Sequence, residues 1–254
     1  MIVVVVGLVG LTSRVAVKIS VRIIKRMMDL VVSTLGIIFF APVMTGIALA
    51  IKSTSPGPVL YRQRRAGMIH SESDPTFDEF WVYKFRTMVC NAEAKTGAIL
   101  AQERDPRITR VGHFLRRTRL DELPQFFNVL LGSMSMVGPR PERPELIRNL
   151  ALAIPFFEER MRLVKPGITG LAQISLSYSG RLPENSEMAK LKQTLINPFA
   201  LEGVEDSEAD DMRTKMLYDC AYAATLENFW EFLRMDLGIL VKTPLVMFWH
   251  RTGK

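Results

Sequence analysis

The uncharged, apolar run at residues 30–51, with Pro42 near its middle, restricts this chain's folds more than any other feature. Roughly 20 apolar residues span a bilayer as a helix, so the run is long enough. Pro42 removes one helical hydrogen bond and crowds the preceding turn. Both flanks are basic: Arg14, Lys18, Arg22, Lys25 and Arg26 precede the run, and Lys52, Arg62, Arg64 and Arg65 follow it. Cytoplasmic flanks carry the Lys/Arg excess, and here neither side yields to the other. Two architectures answer these facts. One is a spanning helix kinked at Pro42; the other is a helix that enters, bends and returns to the same face. Charge and Pro42 leave the two open. The shorter apolar stretch at 1–11 cannot span, and it lacks the basic leader of a signal peptide.

Further along, alternating residues in VLYRQRR and FWVYKFRTM predict two strands of a hairpin, separated by a polar loop at 68–79. Residues 91–103 read as helical. Ile108, Val111, Phe114 and Leu115 share one face of a helix whose other faces carry arginines. Pro124 ends that helix, and the next covers about 124–131 before Gly132. GPRPERPE is a proline-stiffened loop, 146–163 reads as helix, and KPGITGLAQ as a turn-rich stretch. Residues 178–211 are polar, then acidic, and predict a long loop that holds at most one helix. The last helices fall at 212–224 and 228–241. Phe229, Trp230, Phe232, Leu233, Leu237, Ile239 and Leu240 alternate there with charged residues, which suits an interfacial helix or a core-facing one.

Composition narrows the function classes. The formal net charge is +7, which favours an anionic partner: nucleic acid, anionic lipid or a phosphorylated substrate. The two cysteines, Cys90 and Cys220, form no disulfide framework or zinc spacing, and the three histidines form no metal-binding pattern. Neither a P-loop nor a dinucleotide fingerprint is present.

The chemistry-bearing candidates are an acidic pair and three basic elements. Adjacent carboxylates such as Asp121 and Glu122 usually mark a solvated surface. Here an arginine-rich helix precedes them and Pro124 follows. If Asp121 caps the next helix, the positive helix end faces both the carboxylate and any bound phosphate. A carboxylate so placed can attack phosphorus and form an acyl-phosphate, while its neighbour serves as base or holds Mg²⁺ through oxygen. Lys84 and Arg86 in YKFRTM, and Arg140 in GPRPE, suit phosphate recognition; taken singly, each reads equally as a solvated cation or a structural ion pair.

The strings KRMMDLVVS, GPVLYRQRRAG, KFRTM, DPRITRVGHFLRRTRLDELPQFFNVLLGSMSMVGPRPE and KPGITGLAQ, in this order, resemble the bacterial sugar transferase family, the monotopic phosphoglycosyl transferases. The resemblance runs from about residue 25 to 243. It implies a mostly α fold with a small β-hairpin, interfacial amphipathic helices and a re-entrant helix broken at Pro42, with Asp29 and the basic pair near its start. It divides the chain into an N-terminal segment (1–24), the re-entrant helix (25–52) and a catalytic domain on the cytosolic face of the bacterial inner membrane (53–254, with an insertion at about 178–211). It also implies transfer of a sugar-1-phosphate from a UDP-sugar to undecaprenyl phosphate, with Mg²⁺, through a covalent aspartyl intermediate and release of UMP. Asp121 matches the nucleophile, and Glu122 its partner in Mg²⁺ handling or activation of the lipid phosphate. Lys84 and Arg116 match basic site positions, Arg140 a phosphate- or nucleotide-contacting arginine, and Gln173 a further site motif. Membrane lipids are expected partners and nucleic acid is not; a homodimer stays open, as do the sugar and the glycan pathway. Ala41 stands where serine is usual before the proline. ISLSYSGR replaces the usual Asn-Gly-Arg turn, leaving Arg181 an uncertain equivalent. The chain is expected to be a near-minimal catalytic unit. The competing expectation, from charge alone, is a non-enzymatic basic protein that binds membrane surfaces or nucleic acid.

Overall fold

The apolar run does form one long helix. In the computed structural model, which describes residues 17–70, 76–90, 92, 105–176 and 206–249, α1 covers Ile19–Thr54 and continues through Pro42. It is long and apolar enough to cross a membrane. At 1.5 Å per residue a straight helix of 36 residues would reach about 54 Å. Near the proline the Thr45 hydroxyl donates to the Ala41 carbonyl at 2.9 Å.

Both arms of α1 rest on the rest of the protein. Before Pro42, Arg26 caps carbonyls of a later helix, at 2.7 Å from Val129 O and 2.8 Å from Leu130 O. Asp29 accepts from Ser135 Oγ and Met136 N. Lys25 donates to Val137 O, Tyr222 Oη and Asp236 Oδ2. Beyond Pro42, Ile47 and Ile51 are buried with Phe85 and Leu115. Between the two contacts, Ile38 and Phe39 are 67% and 75% exposed, an apolar surface of the kind that lipid covers.

The remaining elements follow in order: β1 (Leu60–Ile69) and β2 (Phe77–Phe85), α2 (Arg110–Thr118), a 3₁₀ turn (Leu120–Glu122), α3 (Gln125–Leu131) and β3 (Ser135–Val137). Then come α4 (Pro144–Ala153), a second 3₁₀ turn (Phe157–Met161), β4 (Gly167–Thr169), α5 (Leu171–Ser175), α6 (Asp206–Thr225) and α7 (Phe229–Trp249). The protein is thus mostly helical, with a small antiparallel hairpin and one long apolar helix near its N-terminus. β1 and β2 pair antiparallel from Leu60–Phe85 to Ile69–Phe77. β3 and β4 form a short parallel pair.

Several expectations need correction. The loop at 68–79 is shorter, because Met68 and Ile69 complete β1 and Phe77 opens β2. The helix at 146–163 stops at Ala153: Pro155 follows, and Phe156 takes a left-handed φ of 63° before the second 3₁₀ turn. KPGITGLAQ holds β4 and α5 rather than turns alone. The loop at 178–211 overlaps α6, which begins at Asp206; residues 177–205, the helix expected at 91–103 (Ala92 apart) and the stretch 1–11 lie outside the described residues.

Two internal arrangements fix the site. The main core gathers Val21, Val129, Met134, Val137, Tyr222, Phe232 and Ile239 around β3, so α1, α6 and α7 share one interior. α7 uses one stripe for this core, while Trp230, Val241 and Leu245 are exposed. Each of the two expected uses of its apolar residues thus has residues available. Second, Asn128, on α3, substitutes for a strand neighbour of β2. Its Nδ2 donates to Trp81 O at 2.7 Å and its Oδ1 accepts from Tyr83 N at 3.0 Å. This bond pair sets the register between the hairpin and the segment after Glu122.

Close packing at β3 yields a stability prediction. A Cβ on Gly138 would lie 2.2 Å from the Lys165 carbonyl oxygen, and backbone cannot yield as a side chain would. Gly138→Ala is therefore expected to cost about 3 kcal/mol, read as a lowered thermal midpoint in detergent.

Candidate active site

The 3₁₀ turn Leu120–Glu122 follows Arg119, which holds a left-handed φ of 60° without being glycine. Such strain concentrates at functional sites. Thr109 caps α2 by accepting from Gly112 N, so the arginine helix starts at Arg110. α3 begins after Pro124 with no side-chain cap. Asp121 therefore does not cap it, because the intervening turn separates the carboxylate from the helix end.

The two acids occupy different environments. Glu122 is clamped: Lys84 Nζ donates to its Oε1 at 3.0 Å and Arg140 Nη2 to the same oxygen at 2.8 Å. Burial works against its charge, yet Arg140 and Lys84 prevail and hold the carboxyl well below the usual carboxylate range. Asp121 has no ion pair or side-chain hydrogen bond with any other described residue, and its own backbone N–H acts on it as a hydrogen-bond donor. Burial above all, then the charge of Glu122, push its carboxyl up to about 6, against the pull of Lys84 and Arg116. Two neighbouring acids with separated proton affinities are the arrangement by which one takes a chemical role and the other a structural or electrostatic one. Burial also lowers the Lys84 ammonium below its ordinary value, with Glu122 opposing.

Of the residues singled out from sequence, the structure brings together Asp121, Glu122, Lys84 and Arg140, with Arg116 in electrostatic reach of Asp121. A small pocket beside them is lined by Arg65, Val82, Lys84, Gln125, Arg140 and Pro141. Arg86 stands apart. Its guanidinium donates to Ser55 O, Ser55 Oγ, Pro56 O and Cys90 Sγ, clamping the turn between α1 and β1. Gln173 lies on α5, and both polar atoms of its amide are buried without a hydrogen-bond partner among the described residues. A buried orphan amide of this kind is ready for a bound group. Arg65 was missed by sequence reasoning: as one of many basic residues near the hairpin it gave no signal of its own. Asn128, an amide set between apolar residues in FFNVLL, did offer one.

The donor set also bears on a metal. No cluster of three or more His, Cys, Asp or Glu is present among the described residues, so they offer no all-protein cage. Two adjacent carboxylates, one of them with no ion pair among the described residues, do fit Mg²⁺, which takes one or two carboxylates and completes its shell with phosphate oxygens and water.

Comparison with known proteins agrees with the motifs. The profile of the family described as bacterial sugar transferase matches residues 20–250, and the chain belongs to that family. A UDP-N-acetylgalactosamine-undecaprenyl-phosphate N-acetylgalactosaminephosphotransferase of Aeromonas hydrophila is 38% identical over 220 residues, covering 87% of this chain and 42% of its own length. A UDP-glucose:undecaprenyl-phosphate glucose-1-phosphate transferase of Escherichia coli (strain K12) is 47% identical over 154 residues, covering 61% and 31%. An exopolysaccharide production protein PSS of Rhizobium leguminosarum bv. phaseoli is 41% identical over 155 residues, covering 60% and 74%. The chain thus spans less than half the length of the first two relatives.

Proposed function

We propose that this chain transfers a sugar-1-phosphate from a UDP-sugar to undecaprenyl phosphate and releases UMP, as a first membrane step in assembling a bacterial glycan. The observation that carries this reading is the asymmetry of the acidic pair: Glu122 is clamped by Lys84 and Arg140, while Asp121 forms no ion pair among the described residues. The names of the relatives supply the substrate classes.

In this reading Asp121 is the nucleophile. Its carboxylate oxygen attacks the phosphorus bonded to the sugar, the bond to the UMP oxygen breaks, and an acyl-phosphate joins Asp121 to the phosphosugar. A phosphate oxygen of undecaprenyl phosphate then attacks the same phosphorus and returns Asp121 to its carboxylate form. Arg140 and Lys84 offer donors for the diphosphate oxygens, the positioning and charge stabilisation on which phosphoryl transfer mostly depends. Glu122 keeps both cations in place before substrate arrives. Mg²⁺, held by Asp121 and Glu122, would supply neutralisation of the diphosphate charge. Gln173 and Arg116 are further candidate contacts.

The same reading takes α1 as re-entrant, in a monotopic protein whose catalytic part sits on the cytosolic face of the inner membrane. Support comes from the two arms: Arg26 and Asp29 before Pro42, and Ile47 and Ile51 after it, all pack on the one body. A helix crossing the bilayer would carry one arm away from that body. In a background with Cys90 and Cys220 replaced by serine, Lys18→Cys and Ser53→Cys are both expected to react only with thiol reagent on the cytosolic side. Labelling of Lys18→Cys from the periplasm alone would contradict re-entry.

The activity itself is tested by screening UDP-sugars for UMP release with undecaprenyl phosphate in detergent. Release from at least one sugar is expected. No release from any, together with strongly salt-dependent DNA binding, would favour the non-enzymatic alternative.

A further inference from the structure

Arg140 reaches Glu122 from a loop held at successive carbonyls. Gly167 N donates to Pro139 O at 2.8 Å, Arg160 Nη2 to Arg140 O at 2.9 Å, Arg65 Nη1 to Pro141 O at 3.2 Å, and Ala66 N to Glu142 O at 2.9 Å. Pro139 and Pro141 have no N–H to anchor. Two backbone N–H groups and two arginine side chains therefore share the work that a ladder does elsewhere.

Arg160 is the unusual member of this set. It is 1% exposed and lies on the second 3₁₀ turn, with its guanidinium 5.1 Å from the Phe157 ring centre. Its Nε lies 2.9 Å from Oδ2 of Asp219, which is equally buried and belongs to α6; the two charges are in contact without the alignment of a hydrogen bond. A buried ion pair is seldom more stabilising than apolar side chains of similar volume, because both charges lose their water. Fold stability alone is thus a weak reason for the pair. Its one contact with the site is the Arg140 carbonyl.

We propose that the buried Arg160–Asp219 pair is a positioning device for Arg140. Asp219 orients the Arg160 guanidinium, Arg160 fixes the Arg140 carbonyl, and the Arg140 side chain is thereby aimed at Glu122 and at a diphosphate. Neither Arg160 nor Asp219 touches substrate. The pair also ties α6, remote in sequence, to the GPRPE loop. The catalytic part of this inference rests on the sugar-phosphate transfer proposed above.

Two measurements test it. In the first, UMP release is compared for Arg160→Lys and Asp219→Asn, each in the wild-type and Arg140→Ala backgrounds. Each variant is expected to slow release about tenfold in the wild-type background, as a small misplacement does. In the Arg140→Ala background the further loss should be no more than about twofold, because the residue acted upon is gone. Equal losses in both backgrounds, or no loss in either, would overturn the proposal. Asp219→Asn conserves shape and carries the test if Arg160→Lys does not fold.

The second measurement does not depend on activity. A Glu122→Gln and Arg140→Met cycle in thermal unfolding reads the coupling between those two side chains. That coupling should fall by at least half when Asp219→Asn is added to every member. Unchanged coupling overturns the positioning role even if the wild type releases no UMP. Lost coupling with an inactive wild type would instead refute only the proposed reaction.

Discussion

Asp121→Asn is expected to abolish transfer, by at least about four orders of magnitude in UMP release, while making the protein more stable at pH 8. The two effects share one cause. Burial and the Glu122 charge push the Asp121 carboxyl up to about 6 in the folded protein, from an ordinary value of 3.8. For a carboxyl raised on folding, the stabilising contribution is complete below pH 3.8 and is lost as pH rises through 6. At pH 8 the wild type therefore holds an ionised Asp121 at a cost that asparagine does not carry. The variant should gain about 1 to 2 kcal/mol there and show no gain near pH 3.5, read as thermal midpoints at both pH values. The wild-type rate should fall as pH drops below about 6, since the attacking oxygen is then protonated. A variant that is inactive but no more stable would mean that Asp121 is not held out of water as described.

Arg140→Ala is expected to lower UMP release by about 10²- to 10³-fold, the usual loss when a charge-stabilising donor is removed. Arg140 contributes at two stages. Without substrate it donates to Glu122 at 2.8 Å and, with Lys84, keeps that carboxyl ionised. With substrate its planar fork can present two parallel N–H donors to a phosphate, a fixed geometry that lysine lacks. Arg140→Lys should therefore recover only part of the loss. It keeps the charge near Glu122 but not the fork, and a rate equal to wild type would show that the charge alone matters.

The helical class, the hairpin and the long apolar helix were legible because each depends on a local pattern: alternation in VLYRQRR, an uncharged run, arginines on one helix face. The acidic pair and its basic neighbours were legible as motifs. Their separate roles followed from the motif resemblance, but the physical difference between them did not, because it depends on Lys84 and Arg140 arriving from β2 and from a loop beyond β3 to hold Glu122. Arg86 shows the converse. It shares a motif with Lys84, yet its donors hold Ser55 and Pro56, since the turn out of β2 sends the two side chains to different places. The parallel β3–β4 pair was hidden in glycine-rich strings that read as turns, because their close backbone approach leaves no side-chain pattern. Arg160 and Asp219 were unremarkable in sequence; only tertiary packing makes them a buried pair.

The central claim is that Asp121 forms a bond to the phosphosugar. Intact-mass measurement of the purified protein, incubated with Mg²⁺ and an accepted UDP-sugar but no lipid phosphate, tests it most directly. The account predicts a mass increase equal to one sugar phosphate, mapped to the peptide containing Asp121, lost on addition of undecaprenyl phosphate and absent from Asp121→Asn. An unmodified wild type that nonetheless transfers sugar phosphate when both substrates are present would contradict it, and would leave Asp121 in a supporting role.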